Sequence, residues 1–521
     1  MLEFSEVDAI MLRKNSEQID VFNHMIFERL IPKDHLLVKI DSTVDFSFVY
    51  DKIKDKYSKI GRGSKDPTMM LKILLLEYLY RLSDVEVAKR IKTDIAFRWF
   101  LKLSIDDPVP DDTTISHFRI KRLGEEDFED FFNEIVKQCI KKDLIKTNRY
   151  LIDSTDVDAN VNYPSDKKLI RNAYRNVIKQ IDRFDENLSK EYLEKFESEI
   201  DEEYKTNEKV SAKKHYEIVE KNLSDLYIKT YDELQNNSKY EDAYGICYDI
   251  IDKFKNDKGD RIVSVVDPDA RIAHKSPGKI KKGYKNHIII DEDSEIILAS
   301  EQTPFNVNDH KKFKDLIKKV DTNLELKPKE ISADKAYGTL DNRAFLKDNE
   351  ITSNIAFYRE SSKEKTSFGL DAFEIAEDVS YVICPNGIKS TTYKDTQENG
   401  KEYRRFKIDP KICDECILKE QCFSKTKAGK IKVRSKFLMV PKRYDVIKMD
   451  LNRVETDDFK KAYNKRYKIE RRFATMVLNH GLRRCRYVRL HRAKIHIILA
   501  NTVCNIIRMV NLTFHPKPAT S

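Results

Sequence analysis

The strand signals of this chain are interrupted, and the interruption limits the folds open to it. A strand at residues 148–161 runs from the apolar Tyr150-Leu151-Ile152 into alternating positions and ends in asparagines. The next strand signals come at Tyr284–Asp291 and Glu295–Gln302, joined as a hairpin by the acidic turn Glu292-Asp293-Ser294. In between, from about Ser165 to Lys255, the chain is rich in Lys and Glu with apolar residues at helical spacing: Ile170, Val177, Ile181, Phe184 and Leu188, then Tyr216, Val219, Leu223 and Leu226. That spacing predicts two long amphipathic helices, paired as a hairpin and inserted into the sequence of a sheet.

Past the strand hairpin, helix and strand signals alternate. A helix runs from Asp309 to about Val320, a strand at Glu330–Tyr337 leads into a loop, and a helix at Asp341–Lys347 precedes a strand at Asn354–Phe357. Three antiparallel strands extended by parallel strands through helices make a mixed α/β sheet. Residues 361–450 read as irregular and hold a cysteine cluster, Asp457–Val477 reads as one long helix, and Ala493–Val510 as a very apolar one. Ahead of the first strand the chain reads as mostly helical. Asp66 is placed to cap a dense apolar helix from Pro67 to Leu82, and Ser83 to start another. Pro110-Asp111-Asp112-Thr113 turns into a short helix at Thr114–Arg119. Short helices with tight turns suit either a helix-turn-helix unit or a plain helical bundle. The expected division is a helical N-terminal region over 1–145, a first part of the core over 146–163 and a charged helical insertion over 164–258. The second part of the core follows over 259–360, a cysteine-rich insertion over 361–450, the C-terminal part of the core over 451–512 and a tail over 513–521.

Composition admits such a fold and narrows its setting. Of 521 residues, 40% are hydrophobic and 36% charged, and the apolar ones come in periodic segments, so the chain is highly charged yet able to build cores. The net charge of +9 matters less than its distribution: Lys461 to Lys494 carries twelve Lys or Arg and a single acid, Glu470. Such a stripe suits a polyanion, because neutralising phosphates releases counterions. The alternative is a solvated basic surface. No apolar run reads as long enough to span a bilayer, and the N-terminus carries acids early and lacks a signal-peptide core, so no membrane is expected. Eight cysteines, scattered but for one cluster, read as the reduced thiols of a cytoplasmic protein.

Three acids stand where strands or a helix would project them into one site. Asp153 follows Tyr150-Leu151-Ile152, Asp334 follows Ile331-Ser332-Ala333, and Glu470 lies mid-helix in Tyr467–Phe473. An acid after an apolar strand is commonly a surface residue, and Asp156 and Asp158 compete with Asp153; alternation puts both on the opposite face of the strand. Three clustered carboxylates suit hard divalent cations, which need oxygen ligands, and without metal they would raise one another's pKa. Cys413, Cys416 and Cys422 form Cys-x2-Cys-x5-Cys, with Cys384 upstream. Four thiolates would complete a tetrahedral structural zinc site; the other reading is reduced cysteines in a loop.

These motifs together resemble bacterial insertion-sequence transposases with an Asp-Asp-Glu site, the group whose last acid lies in a Tyr-x2-Arg-x3-Glu-x6-Lys pattern. The chain has Tyr463, Arg466 and Glu470 at that spacing. Ile152-Asp153-Ser154-Thr155 and Ala333-Asp334-Lys335-Ala336-Tyr337-Gly338 are similar to the segments around the first two acids. Gly61 to Arg119, and Asp267-Pro268-Asp269-Ala270 with Gly283-Tyr284-Lys285, add to the likeness, which covers most of the chain; residues 165–255 are the least recognisable part. The resemblance implies a ribonuclease-H-like core with Asp153, Asp334 and Glu470 as catalytic residues holding Mg²⁺ or Mn²⁺. It implies DNA as partner, both element ends with terminal inverted repeats and target DNA, and a homodimer in the active complex of a bacterial, nucleoid-associated protein. Tyr463, Arg466, Arg471, Arg472, Arg483 and Arg484 are then the candidates for DNA contact.

One departure stands out. The pattern's Lys falls at position 477, where this chain has Val477. Either Arg471 or Arg472 substitutes, or the grip on DNA is weaker. Two rivals follow: a related metal-dependent nuclease without strand transfer, and a transposase-derived DNA-binding protein that has lost catalysis.

Overall fold

The computed structural model describes residues 21–57, 64–206, 210–256, 258–276, 279–357, 368–398, 400–423 and 436–515. The readings of the first 20 residues and of 516–521 fall outside the described residues. Six strands make the main sheet: β1 (Arg149–Asp158), β2 (Arg271–Ser276), β3 (Lys279–Asp291), β4 (Ile297–Pro304), β5 (Glu330–Ala333) and β6 (Thr352–Ile355). β1 lies in the middle because its apolar start, Tyr150-Leu151-Ile152, is buried and both its edges are paired. It runs antiparallel to β3 and parallel to β5; β4 adds antiparallel to β3 and β6 parallel to β5. The order β4-β3-β1-β5-β6 is the mixed sheet that the split strand signals predict. β2, which the sequence reading did not single out, pairs with the start of β3. Where β3 passes from β2 to β1, Gly283 has φ +134°, and a Cβ there would lie 2.4 Å from the carbonyl oxygen of Val157. Only glycine fits that crossing.

The helix Leu490–Phe514 docks against this sheet and against the N-terminal helices Leu36–Thr43, Pro67–Leu79 and Glu125–Lys141. Its polar residues explain the docking. Asn505 accepts from the Ile297 N–H and donates to the Ile297 carbonyl, both at 2.8 Å, and Asn501 accepts from Asn286 at 2.9 Å. The Asn505 amide satisfies backbone at an irregular point of the β3–β4 ladder that would otherwise be buried unpaired. By length and composition the helix could cross a membrane, contrary to the expectation that no run would. Two thirds of its most apolar window is buried inside the protein (67%), as in the core helix of a globular fold.

The N-terminal caps form as the sequence predicts. Asp66 accepts from the N–H groups of Thr68 (2.7 Å) and Met69 (3.1 Å) with Pro67 in the first turn, and Ser83 and Glu86 make a reciprocal capping box. The first of these helices stops at Leu79, before Arg81, which takes φ 57°. The N-terminal helices share one hydrophobic cluster with the sheet and with Leu490–Phe514.

Three expectations are corrected. The charged insertion is not a two-helix hairpin: five helices, Asp166–Ile181, Glu186–Thr206, Ala212–Lys229, Tyr231–Asn236 and Ser238–Asn256, enclose a cluster of their own. The breaks rest on single capping groups, such as Asp185 accepting from Leu188 and Ser211 from Lys214, which a periodic count passes over. Residues 361–450, read as irregular, contain two three-stranded sheets. One is β7 (Glu374–Ile375), β8 (Val382–Ile383) and β9 (Lys389–Ser390); the other is β10 (Tyr393–Glu398), β11 (Lys401–Ile408) and β12 (Lys436–Pro441). Charged residues between their few apolar positions hide the alternation. The third correction is the helix expected over Asp457–Val477, which is two helices, Asp457–Asn464 and Tyr467–His480. The joint between them places Lys465 and Arg466 against the sheet.

Candidate active site

Parallel pairing sets Ile152 beside Ala333, so the next residue of each strand path, Asp153 and Asp334, emerges side by side. The Ser154 N–H donates to Asp153 Oδ1 at 2.8 Å. Arg466 completes the group. Its Nη2 lies 3.2 Å from Asp153 Oδ2 and its Nη1 lies 3.4 Å from Asp334 Oδ1. The same Nη1 donates to Tyr463 Oη at 3.1 Å, and Tyr463 stacks on Phe459 with ring centres 5.5 Å apart. Burial pushes the Asp153 carboxyl up to about 6; the Ser154 N–H and Arg466 oppose the rise and Asp334 adds to it. Burial works against the charge of Arg466, but Asp153, Tyr463 and Asp334 together hold its pKa above the ordinary value. Two adjacent carboxylates balanced by one guanidinium form a pocket of negative charge matched to a cation.

Asp156 lies on the other side of the strand, 3.7 Å from Lys281 and 4.0 Å from Arg483. Asp158 extends the sheet: its N–H donates to the Arg483 carbonyl, its own carbonyl accepts from Cys485, and it bridges Arg484. Neither stands beside Asp334.

Glu470 lies in the first turn of Tyr467–His480, four residues after Arg466 and on the same side of the chain's turn. It is exposed and makes no hydrogen bond or ion pair among the described residues. The acidic turn between β3 and β4 holds its helix. Lys465 meets Glu292 at 2.6 Å, Lys468 donates to the Glu292 carbonyl at 2.8 Å, and Arg471 Nε and Arg472 Nε reach Glu295 Oε2 at 3.2 and 3.1 Å. Glu295 is fully buried with φ 61°, and Arg508 approaches it at 3.6 Å. Arg471, from the exposed side, and Arg472, largely buried, are therefore both engaged by a buried acid of the protein. Arg483 donates to the Asp156 carbonyl at 2.6 Å, while Arg484 is exposed. Val477 packs half-buried against the main core. Tyr463 belongs to the preceding helix, so 463, 470 and 477 do not share one continuous helix face.

The four clustered cysteines, Cys384, Cys413, Cys416 and Cys422, line one small cavity of about 30 Å³ with Phe373, Ile408 and Phe423. The Leu418 N–H donates to Cys416 Sγ at 3.4 Å. Burial pushes the thiols of Cys413 and Cys422 up, and the neighbouring cysteines add to it. No group of three His, Cys, Asp or Glu side chains among the described residues is arranged to hold a metal ion, either here or at Asp153. Cys139, Cys247, Cys485 and Cys504 are buried elsewhere.

Sequence reasoning missed two residues that build the site. Arg343 donates to the carbonyls of Gly338, Ile355 and Ala356, each at 3.1 Å, and pairs with Asp450, tying the loop after Asp334 to the end of β6. Glu295 is the other; as the first residue of a strand it gave no sign of burial. The Asp267 and Gly283-Tyr284 segments meet, since the Tyr284 hydroxyl donates to Asp267, and Asp269 accepts from the Leu490 N–H at 2.8 Å.

Residues 25–121 match the family described as Transposase domain (DUF772), and residues 258–506 match the Transposase DDE domain. The second match takes in Asp334 and Glu470 and begins after Asp153. No solved structure matches the chain.

Proposed function

This chain belongs to the insertion-sequence DDE transposases, with the ribonuclease-H-like core that the family implies, and from that premise we propose that it binds the ends of a mobile element, cleaves phosphodiester bonds there and joins the freed 3′-hydroxyls to target DNA. The observation that carries the reading is the juxtaposition of Asp153 and Asp334 under one guanidinium, with Glu470 one helical turn beyond it. Members of the family typically use divalent metal. Asp153, Asp334 and Glu470 are the residues that would hold Mg²⁺ or Mn²⁺, which when bound activates a nucleophile and stabilises the leaving oxygen. The donor set fits, since carboxylate oxygens are the ligands these cations take. Arg466 neutralises the two aspartates, and it would be the cation nearest to a phosphate if they held a metal instead. Tyr463 supports Arg466 from the preceding helix. Arg343 fixes the loop that carries Asp334.

The test uses DNA taken from both sides of the reading frame, where this reading expects inverted repeats. Glu470→Gln, Asp153→Asn and Asp334→Asn should each abolish Mg²⁺-dependent cleavage and leave DNA binding in place. Cleavage by Glu470→Gln at the wild-type rate would remove the triad. A second reading, a transposase-derived DNA-binding protein without catalysis, draws on Val477 and on the fact that no three acids among the described residues are arranged to hold a metal; wild-type protein that binds such repeats and never cuts them would favour it. In the active complex the protein is read as a homodimer on paired ends, acting in the cytoplasm at the nucleoid. Cys384, Cys413, Cys416 and Cys422 are proposed as a structural zinc site. Support comes from their convergence on one cavity in a segment with a small core, where a metal staple contributes most.

A further inference from the structure

The sheet β10-β11-β12 has two unlike faces. On the inner face, Phe406, Ile408, Leu438 and Val440 are buried in the small core of the cysteine-rich insertion. Alternation turns the intervening residues outward, and among them Lys394, Arg405 and Lys407 are exposed. The register sets Lys394 directly opposite Arg405, and Lys407 directly opposite Phe437. None of the three cations has an acidic partner among the described residues, whereas Arg404 and Lys442 both pair with Asp395. Like charges directly across a ladder destabilise a sheet. A sheet that carries such a pair, with a third cation two residues along, is relieved by an anion laid across it. The Arg405 guanidinium lies 4.0 Å from the centre of the exposed Phe437 ring, which steadies it on the sheet, and its donors have no partner among the described residues. Arg405 and Lys407 are about 6.8 Å apart along the strand and Lys394 about 5 Å across it, so the three form a compact triangle of charge without an enclosing pocket. That shape suits a backbone of repeated phosphates better than a single small anion.

We propose that this outer face, centred on Lys394, Arg405 and Lys407, is a docking surface for the phosphate backbone of duplex DNA. The proposal rests on the transposase reading, which supplies duplex DNA as the partner, and adds a contact outside the basic stripe of residues 461–494. The surface is also tied to the candidate site. The chain leaves β12 into the helix Tyr444–Val454, which is pinned by the Arg343–Asp450 pair and by Lys347–Asp445 at 2.6 Å. DNA held on the insertion is thereby placed relative to the loop bearing Asp334.

The experiment measures full-length protein binding to a linear duplex fragment at several salt concentrations, for wild type and for Lys394→Gln, Arg405→Gln and Lys407→Gln singly and together. Each single substitution should lower the slope of log affinity against log salt by about one unit, and the triple variant should bind about tenfold or more weakly at moderate salt. Thermal stability of the triple variant should be unchanged or higher, because the cross-strand repulsion is gone. A wild-type slope in the triple variant, alongside salt-dependent wild-type binding, overturns the surface and leaves the transposase reading intact. Wild-type protein that does not bind duplex DNA overturns both. A lowered melting temperature would show the cations to be structural, and displacement of DNA by polyglutamate but not by competitor duplex would assign the face to an acidic protein; either result overturns the proposal.

Discussion

Arg466 lies 3.2 Å from Asp153, and the same guanidinium spans to Asp334 at 3.4 Å. One side chain from a helix joint thus balances two carboxylates that arrive on different strands. The pairing makes the metal-free site electrically tolerable, and it makes Arg466 a competitor of any cation that those aspartates bind.

Removing that competitor separates stability from metal binding. Arg466→Gln should destabilise the metal-free protein by about 2 kcal/mol, since it leaves the largely buried Asp153 beside the more exposed, solvent-screened Asp334 without a counter-charge. Adding Mg²⁺ should then raise the melting temperature of the variant more than that of wild type. Equal Mg²⁺ shifts in the two proteins would mean that Arg466 and the metal do not compete.

Arg471 and Arg472 are expected to act as fold-holding residues. Arg472 is 11% exposed and pairs with the fully buried Glu295, so Arg472→Ala should cost about 3 kcal/mol. Arg471 is half exposed, and Arg471→Ala should cost about 1 kcal/mol or less. Chemical denaturation gives both values. The salt slope of DNA binding should stay unchanged in each; a drop of about one unit would put that arginine on a phosphate instead.

Restoring the missing lysine should not restore function. Val477 packs against the main core, so Val477→Lys must bring an ammonium to a half-buried position or disturb the packing. The melting temperature should fall, by the equivalent of about 1 kcal/mol if the side chain reaches solvent along its stem. Tighter end binding at unchanged stability would contradict this.

Glu77 supplies a pH dependence at the junction of the N-terminal helices and the C-terminal segment. It is fully buried near Arg119 and Arg486, with Asp84 satisfying Arg119, and burial pushes its carboxyl up to about 8 from 4.5. Below about pH 4.5 the group is protonated in folded and unfolded chains alike and its full contribution is present. Between 4.5 and 8 the unfolded chain ionises while the folded one resists, so stability falls as pH rises, and it levels off above 8. Glu77→Gln should flatten that fall. Parallel wild-type and variant curves from denaturation between pH 5 and 9 would refute the assignment.

The cysteine cavity makes a compositional prediction. Freshly purified protein should carry about one zinc per chain, and Cys413→Ser should lose it. Because the thiols of Cys413 and Cys422 are raised, binding must release protons, so acidification should strip the metal. Elemental analysis that finds no zinc would leave the cluster as reduced thiols around a cavity.

Local pattern was enough for the parts of this protein that neighbours in sequence decide. The caps at Asp66 and Ser83 depend on residues two and three positions away and form as read. An apolar run followed by an acid marks β1 with Asp153 and β5 with Asp334, because a strand buried on both edges must be apolar up to the point where it opens to the site. The spacing of Tyr463, Arg466 and Glu470 is a property of the chain itself. Tertiary structure alone decided which charges meet. Arg471 and Arg472 read as free cations until Glu295 is buried under them, and Arg466 reads as a DNA contact until two strands bring it Asp153 and Asp334. The joint at residues 465–466 is hidden for the same reason: a helical period continues through it, and only the pull of Glu292 and Asp153 on adjacent side chains marks the break. Charge and periodicity are written residue by residue, whereas the partner of a charge is chosen by packing across hundreds of residues.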